Sequence, residues 1–182
     1  MSFLLPVDDR LALRLLEPNH AEEVYPLIER HREHIERWLP WPRALHSLDQ
    51  CRDTIRDLLR DFAERKQAVM SVLEHGRVVG GLGWSEWKEG ERFGCVAERS
   101  ADLGYWLLPH AQGRGLMTRA VRRVLDHLFH DRELFRVTVR AEPENARSCG
   151  VPERLGFTLE GTLRHVARYD GRWVDHRLYA IL

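Results

Sequence analysis

Hydrophobic positions in this chain follow two spacings, and the switches between them predict an alternation of strands and helices. Leucines occupy every second position across residues 10–16, which is typical of a half-buried strand. Apolar residues three and four positions apart then predict one helix that begins at Asn19 and runs to about Trp38. Asn19 with Glu22 three residues later forms a capping-box pattern, which marks the helix start.

A second helix and a pair of strands follow. Ser47 and Gln50 repeat the capping pattern, and the apolar stripe behind them consists of Ile55, Leu58, Leu59 and Phe62. Residues 67–73 and 77–87 are predicted strands joined by a tight turn at His75-Gly76. The second strand is interrupted by Gly80, Gly81 and Gly83, which predicts a bulge or a close approach of another backbone. A charged loop is expected at residues 88–93.

The stretch from residue 102 to residue 129 organises the rest of the chain. It begins as a strand, which Pro109 ends because proline cannot donate a ladder hydrogen bond. A turn with Gly113 and Gly115 follows. Apolar residues at helical spacing come next, namely Leu116, Ala120, Val121, Val124, Leu125 and Leu128. The sequence therefore predicts a strand, a glycine loop and a helix N-terminus in direct succession.

The C-terminal part predicts one more strand, a short helix and a closing hairpin. Residues 135–140 form the strand, residues 142–145 turn into a helix that ends near Leu155, and Gly156 follows as its C-cap. Residues 157–167 and 173–182 pair around a turn at 169–172. The whole pattern predicts a single α/β domain over residues 1–182, with a mixed, mostly antiparallel sheet flanked by helices.

Composition narrows the range of functions. Lys plus Arg and Asp plus Glu both number 28, so no net field attracts nucleic acid or a membrane surface. No apolar run reaches the ~20 residues that span a bilayer. The odd count of 3 cysteines, widely spaced and without a signal-peptide pattern, favours a reducing cytoplasm. His127 and His130 share a helix face but have no third ligand, so no metal site is expected.

A glycine loop before a helix is suited to holding a phosphate. The first helical N–H groups lack intrahelical partners and carry partial positive charge, and glycine lets a phosphate come close to the backbone. Arg114 and Thr118 can add a charged donor and a hydroxyl. The alternative is that Gly113 and Gly115 only form a tight turn. A Walker loop is excluded because Leu116 and Met117 follow the last glycine, and the dinucleotide fingerprint fails at Thr118.

A third type of phosphate loop fits better. The run Gln112-Gly113-Arg114-Gly115-Leu116-Met117 resembles the pyrophosphate loop of the GNAT superfamily of acyl-CoA N-acyltransferases, with Met117 in place of the usual Gly or Ala. Asn145-x-x-Ser148 followed by Glu153-Arg154-Leu155-Gly156-Phe157 is similar to the second signature of that superfamily. The segments Trp38-Leu39-Pro40-Trp41, Tyr105-Trp106-Leu107 and Phe157-x-x-Glu160-Gly161 resemble its RimJ/RimL branch of N-terminal protein acetyltransferases.

The resemblance implies a co-substrate site for acetyl-CoA and no metal. By that resemblance, the backbone of Leu107 and Leu108 binds the pantetheine arm. The strands after the loop are expected to splay apart, so that the thioester enters a gap in the sheet, and Asn145 is expected to lie beside the cofactor. The pyrophosphate is expected on the loop made of Gln112, Gly113, Arg114, Gly115, Leu116, Met117 and Thr118. Members of the branch tend to form homodimers.

The catalytic residues that the resemblance implies depart from the commonest pattern. Many GNAT enzymes place a proton-donating tyrosine seven residues after the signature asparagine, where this chain has Pro152. In the RimL-like branch Ser148 matches the proposed acid and Glu160 the proposed base. The alternatives are that Ser148 bonds its own helix backbone and that Glu160 forms a surface ion pair.

Trp38 and Trp41 have two interpretations. Bracketed by prolines, they form either a small satellite core or the wall of a substrate pocket. The function expected from the resemblance is acetyl transfer to the α-amine of a protein or peptide N-terminus, by direct attack in a ternary complex. Transfer to a small amine (an amino acid, polyamine or antibiotic) and a non-catalytic acyl-CoA sensor are the alternatives.

Overall fold

A computed structural model describes residues 3–88, 99–169 and 171–182. Three features named above lie outside the described residues. They are the part of the expected charged loop that follows Lys88, the residue Cys95, and Asp170 in the last turn. The strands are β1 (Leu4–Pro6), β2 (Leu11–Leu15), β3 (Gln67–Glu74), β4 (Arg77–Lys88), β5 (Arg99–Leu107), β6 (Arg136–Ala141), β7 (Thr158–Tyr169) and β8 (Arg172–Ile181). The helices are α1 (Ala21–Arg30), α2 (Arg32–Glu36), α3 (Leu48–Ala63), α4 (Leu116–Asp126) and α5 (Ala146–Arg154).

The strands form an eight-stranded sheet in the order β1-β2-β3-β4-β5-β6-β8-β7. The pairs β1–β2, β2–β3, β6–β8 and β7–β8 are antiparallel, and β5–β6 is parallel. The predicted mixed, mostly antiparallel sheet is therefore confirmed. The parallel pair is the one whose connection contains α4, as the need for a helical crossover requires.

The chain folds as two compact units, residues 1–83 with 105–116 and residues 84–104 with 117–182. The first unit has its own core, which α1, α2 and α3 build with the inner faces of β3 and β4. Its buried side chains are Leu16, Ala21, Val24, Ile28, Ile35, Leu45, Cys51, Ile55, Leu73 and Val78. This unit also contains β1, which the sequence analysis missed because three residues, LLP, are too few to show alternation.

Two predictions about the first helices were wrong. Asn19 is not the cap, because Pro18 fixes the first position of a 3-10 turn and moves the start back to the extended residue Glu17. The backbone N–H of Glu17 donates to His20 Nδ1 at 3.0 Å. The single helix to Trp38 is in fact two helices, since His31 between them has φ −116° and ψ 21°. The Ser47 cap is confirmed, with its hydroxyl accepting from the Gln50 N–H at 3.1 Å.

The second unit contains α4, α5, β6, β7 and β8. The helix after the glycine loop continues beyond α4 as a π-helical turn, His127–Asp131. The fully buried side chains of the second unit include Val121, Val124, Leu128, Val137 and Tyr179. Gly156 follows α5 with φ +82°, which confirms the predicted C-cap.

The parallel ladder is shorter than the strands that form it. Pairing runs from Ser100–Arg136 to Leu103–Val139, whereas β5 continues to Leu107. A Cβ added at Gly104, the first residue beyond the ladder, would meet no atom within 4 Å. The end of β5 therefore carries main-chain groups that β6 does not take up. No helix in the described part of the chain is long and apolar enough to cross a membrane.

Candidate active site

The glycine loop has the backbone that a phosphate-binding turn needs. Gly113 and Gly115 have φ of +73° and +72°, the left-handed region in which side chains are strained. A Cβ at either position would meet no atom of the described residues within 4 Å, so there is space beside both glycines. Helix α4 begins at the next residue, Leu116, so its first N–H groups follow the loop directly. These features fit the pyrophosphate of a CoA molecule.

The side chain of Arg114 forms an ion pair in this structure, and its expected contact with a phosphate stays a prediction. Its two terminal nitrogens bind the carboxylate of Glu74 at 2.8 and 2.6 Å, and Glu74 is the last residue of β3. The Glu74 side chain is 12% exposed and that of Arg114 50%. The bidentate pair fastens the loop between its two glycines to the end of a strand.

Gln112 joins the start of the loop to the end of β5. Its Nε2 lies 3.1 Å from the Leu107 carbonyl oxygen and 2.9 Å from His34 Nε2. The N–H of Leu108 donates to the Val79 carbonyl at 2.8 Å. The pantetheine contacts expected from the resemblance at Leu107 and Leu108 stay a prediction. The Leu107 carbonyl oxygen also lies 3.1 Å from His34 Nε2, so two side-chain nitrogens already approach it.

The remaining loop residues contribute mainly through the backbone. Leu116 and Met117 are 2% and 5% exposed, so their side chains are core and leave only main-chain groups to a ligand. The Thr118 hydroxyl accepts from Nε and Nη2 of Arg154, both at 3.3 Å. Arg154 is the last residue of α5, and the sequence analysis gave it no role although it stands in the second signature. It adds a cation within the second unit, one turn from the start of α4.

Asn145 is an N-cap in this structure. Its Oδ1 accepts from the backbone N–H of Ser148 at 3.2 Å, which satisfies one of the free donors of α5. Ser148 therefore stands in the first turn of α5, and Asn145 fixes its backbone there. Pro152 lies inside α5 four residues later and cannot donate to the Ser148 carbonyl. The expected cofactor contact of Asn145 and the acid role of Ser148 stay predictions.

Glu160 forms the ion pair that was its alternative interpretation. Arg136 binds it through both carboxylate oxygens, with Nη1–Oε1 at 2.7 Å and a second contact from Nη2 to Oε2. Hydrogen bonding to Arg136 holds the pKa of Glu160 below its ordinary value. A lowered pKa makes the carboxylate a weaker proton acceptor. The predicted role as base stays a prediction, and it now requires that an incoming amine compete with Arg136.

Two further acidic or phenolic groups lie near these residues. Glu142, three residues before Asn145, is 5% exposed, and burial raises its pKa. Its Oε2 is 3.3 Å from Arg172. Tyr179 donates to Glu153 at 2.8 Å and burial raises its pKa to about 12. This hydrogen bond holds α5 to β8.

The tryptophan segment lies in the first unit. Trp41 begins a 3-10 turn, is 39% exposed, and its ring centroid lies 6.3 Å from that of Trp106 in β5. Trp38 is half-buried under the guanidinium of Arg37, 5.1 Å from its ring centroid. Arg32 fixes this segment by donating to the carbonyls of Pro42 and Leu45 at 2.5 and 2.7 Å. Trp41 is partly exposed and packs on Trp106, so the pocket role of Trp38 and Trp41 stays a prediction.

Three residues that contact candidate site side chains were missed from the sequence, namely His34, Glu74 and Arg154. Arg154 stands in the second signature, but His34 and Glu74 are polar residues in a helix and at a strand end, and nothing in their spacing distinguished them from ordinary surface residues. No group of three or more His, Cys, Asp or Glu side chains in the described ranges is arranged to hold a metal ion. His127 instead bonds Asp131 at 2.7 Å.

Comparison with known proteins places this geometry in a family. Residues 10–158 match the model of the acetyltransferase (GNAT) domain. The putative ribosomal N-acetyltransferase YdaF of Bacillus subtilis is 30% identical over 99% of this chain and 95% of its own length. The ribosomal-protein-serine acetyltransferase of Escherichia coli is 26% identical over 99% and 97%. A solved structure of RimL, a ribosomal L7/L12 alpha-N-protein acetyltransferase in complex with coenzyme A, superimposes with a TM-score of 0.88 at 21% identity, covering 99% and 98%.

Proposed function

This chain belongs to the GNAT family of acetyltransferases, and we propose that it transfers acetyl from acetyl-CoA to the α-amine of a protein or peptide N-terminus. The observation that carries the proposal is the loop at residues 112–118. It combines two left-handed glycines, space beside each of them and a helix N-terminus directly behind them. The relatives from B. subtilis and E. coli carry names that specify ribosomal acceptors, which supports a protein N-terminus as the acceptor here.

The reaction needs an uncharged amine. Its nitrogen lone pair attacks the carbonyl carbon of the thioester, the C–S bond breaks, and the departing thiolate takes up a proton. An α-amine has an ordinary pKa of about 7.7–8.0 and a lysine amine about 10.4. Near pH 7.5, freeing a lysine amine costs roughly 4 kcal/mol and freeing an α-amine well under 1 kcal/mol. A site whose candidate base is weakened by an arginine suits the α-amine.

We assign the chain's own residues the following roles. The backbone of residues 112–118 binds the pyrophosphate, with Arg114 and Gln112 fixing the loop from outside. Asn145 orders the first turn of α5 so that Ser148 can hydrogen-bond the departing thiolate. Glu160 accepts the proton of the amine, directly or through a water. Because a thiolate is a tolerable leaving group at neutral pH, Ser148 contributes chiefly by orientation.

Trp38 and Trp41 are proposed to line the acceptor pocket. We further propose that residues 1–182 form a single catalytic domain, that the enzyme acts in the cytoplasm and that it forms a homodimer. Size-exclusion chromatography with light scattering tests the last of these.

The deciding experiment is turnover of acetyl-CoA with a panel of N-terminal peptides and free amines. Peptides that carry both a free N-terminus and an internal lysine should be acetylated first at the N-terminus, as mass spectrometry of the products would show. Faster modification of lysine contradicts the α-amine assignment. Turnover with amino acids, polyamines or aminoglycosides but not peptides would identify a small-amine enzyme, and binding without turnover would identify a sensor.

A further inference from the structure

The hairpin formed by β7 and β8 carries an exposed tryptophan with two side chains against its ring. Trp173 is the second residue of β8 and is 52% exposed. The imidazole of His165 stacks on the indole, with ring centroids 6.0 Å apart and an interplanar angle of 25°. The guanidinium carbon of Arg168 lies 5.6 Å from the same ring, and Arg168 is the residue directly opposite Trp173 in the ladder. We call these three side chains the Trp173 cluster.

A bulge in β7 fixes the position of the imidazole. The pairing passes from Leu163–His176 to Ala167–Val174, so residues 164–166 stand opposite Asp175 alone. His165, at the centre of the bulge, has φ +49°, which is uncommon for a residue with a side chain. Its backbone N–H donates to Asp175 Oδ1 at 2.8 Å. The backbone therefore holds this exposed side chain beside Trp173.

The hairpin has more positive than negative charge, although the formal charge of the whole chain is +0. Elsewhere the surface arginines have acidic neighbours, as in α3, where each arginine between residues 52 and 60 pairs with an aspartate three residues earlier. The segment from residue 164 to residue 173 has three arginines and one acid in its sequence, namely Arg164, Arg168, Arg172 and Asp170.

The described residues supply little compensation for these arginines. Among them, no carboxylate forms an ion pair with Arg164 or Arg168. Arg168 Nε donates instead to the carbonyl of Gly171 at 3.3 Å. Arg172 has one carboxylate contact, at 3.3 Å with the buried Glu142, while its own side chain is 67% exposed. The exposed guanidinium groups therefore favour an anionic partner.

Strand β7 adds a row of main-chain groups beside the cluster. It stands at the end of the sheet order, and β8 is its one neighbour among the described strands. The opposite edge of β7 therefore presents N–H and C=O groups that no described strand pairs. An extended polypeptide can pair with such an edge and place alternate side chains toward the cluster.

We propose that the Trp173 cluster and the adjacent edge of β7 form a docking surface for an acidic, extended segment of a partner protein. Tryptophan and arginine are the side chains that most often dominate such contacts, and carboxylates would neutralise the arginines. A nucleic acid is the other polyanion, but a stacked base needs a free ring face, and Trp173 already has an imidazole and a guanidinium against its ring. Docking requires neither acetyl-CoA nor a free amine, so the inference goes beyond the proposed function.

The test uses a peptide that cannot serve as an acetyl acceptor. The probe alternates glutamate and threonine, has the 12-residue length of β7, is acetylated at its N-terminus and carries a dye at its C-terminus. Fluorescence anisotropy at low salt measures its affinity. The wild type should bind it at least about tenfold more tightly than a lysine–threonine peptide of equal length, and added salt should weaken the binding.

Single variants locate the surface. Trp173→Ala and Arg168→Gln should each weaken probe binding by about threefold to tenfold. Phe135→Ala removes a 71% exposed aromatic outside the hairpin, and Arg56→Gln removes the same charge from α3, so both should bind like the wild type. Urea denaturation checks that each variant is folded. Arg168→Gln keeps the test valid if Trp173→Ala does not fold, because it changes an exposed side chain.

Four results would overturn the inference. They are a wild type that does not bind the acidic probe or binds the lysine peptide equally well, equal losses in Arg168→Gln and Arg56→Gln, tighter binding of an oligouridylate of the same length, and a Trp173→Ala variant that converts a dimer into monomers. The third would assign the surface to RNA and the fourth to a second copy of this chain. An enzyme that acetylates peptides but ignores the probe contradicts this inference alone, whereas a chain that binds the probe but transfers no acetyl contradicts the proposed function alone.

Discussion

A Cβ atom at Gly80 would lie 2.2 Å from the carbonyl oxygen of Trp106, closer than any real contact allows. At Gly81 the corresponding atom would lie 2.5 Å from Nε1 of the same tryptophan. Strand β4 therefore approaches both the backbone and the indole of Trp106 over two successive residues. Trp106 in turn contacts Trp41. The absence of side chains at Gly80 and Gly81 therefore lets this aromatic pair lie close to β4.

We expect Gly80→Ala to lower the free energy of unfolding by about 3 kcal/mol, because the new methyl group meets a carbonyl and the two strands must separate. Urea denaturation measures the change. Gly104→Ala is the matched control, since a Cβ there meets nothing within 4 Å, and it should cost less than about 1 kcal/mol. Equal losses in both variants would mean that the close approach has no energetic consequence.

The sequence predicted elements whose signals are local and missed features set by longer-range contacts. The Ser47 cap, the glycine hairpin at Gly76 and the left-handed residue Gly156 were all found, because each signal lies within a few residues. The break at His31 was missed, since the apolar stripe runs through it without interruption. The stripe records which face is buried and not whether the axis is continuous.

The candidate site divides in the same way. The phosphate-binding role of residues 112–118 stays a proposal, but the glycine turn of this loop was predicted because its signal is local. The partners of its side chains were not, because Glu74 lies 40 residues from Arg114 and His34 lies 78 residues from Gln112 along the chain. Such pairs exist only once the sheet has formed. Arg114 was expected to contact a phosphate and also binds a carboxylate at a strand end, so its phosphate contact stays a prediction.

Gly115→Ala should weaken acetyl-CoA binding by more than tenfold, at least about 1.4 kcal/mol. Two effects add, since alanine is strained at φ +72° and its methyl group projects into the surface that the phosphate approaches. Calorimetry with CoA gives the affinity. Gly76→Ala supplies the comparison because Gly76 has φ +75° and equal space but lies in the turn between β3 and β4. It should lose stability and keep its affinity.

Trp41→Ala should raise the KM for an acceptor peptide about threefold to tenfold without changing the KM for acetyl-CoA. The indole is 39% exposed on a turn that Arg32 braces, so its removal takes away contact surface and leaves the fold. Steady-state kinetics with one varied substrate at a time separates the two constants. Phe135→Ala removes a more exposed aromatic, at 71%, and should change neither. A Trp41→Ala enzyme with an unchanged peptide KM would return Trp41 to a structural role.

His20 should make the stability of the wild type fall in mild acid. Burial lowers its pKa below the ordinary 6.5, and its Nδ1 accepts the Glu17 N–H, so the folded state prefers the neutral form. The stabilisation is complete above pH 6.5 and is lost as the pH falls through the lowered folded value. His20→Asn keeps an acceptor without the titration. From pH 8 to pH 5 the wild type should lose about 1 kcal/mol more than this variant in urea denaturation.

The pair formed by Glu160 and Arg136 allows two separate tests of the proposed base, because one variant removes the carboxylate and the other changes its pKa. If Glu160 accepts the amine proton, Glu160→Gln should lower kcat about a hundredfold and abolish the acidic limb of the pH profile. Arg136 holds the pKa of Glu160 down, so Arg136→Gln should raise that pKa and move the acidic limb to higher pH. Arg136→Lys keeps the charge but not the bidentate geometry and should move the limb less. A Glu160→Gln enzyme with wild-type kcat and an unchanged limb would show that the carboxylate serves only its arginine, and that the proton leaves the α-amine to solvent before attack.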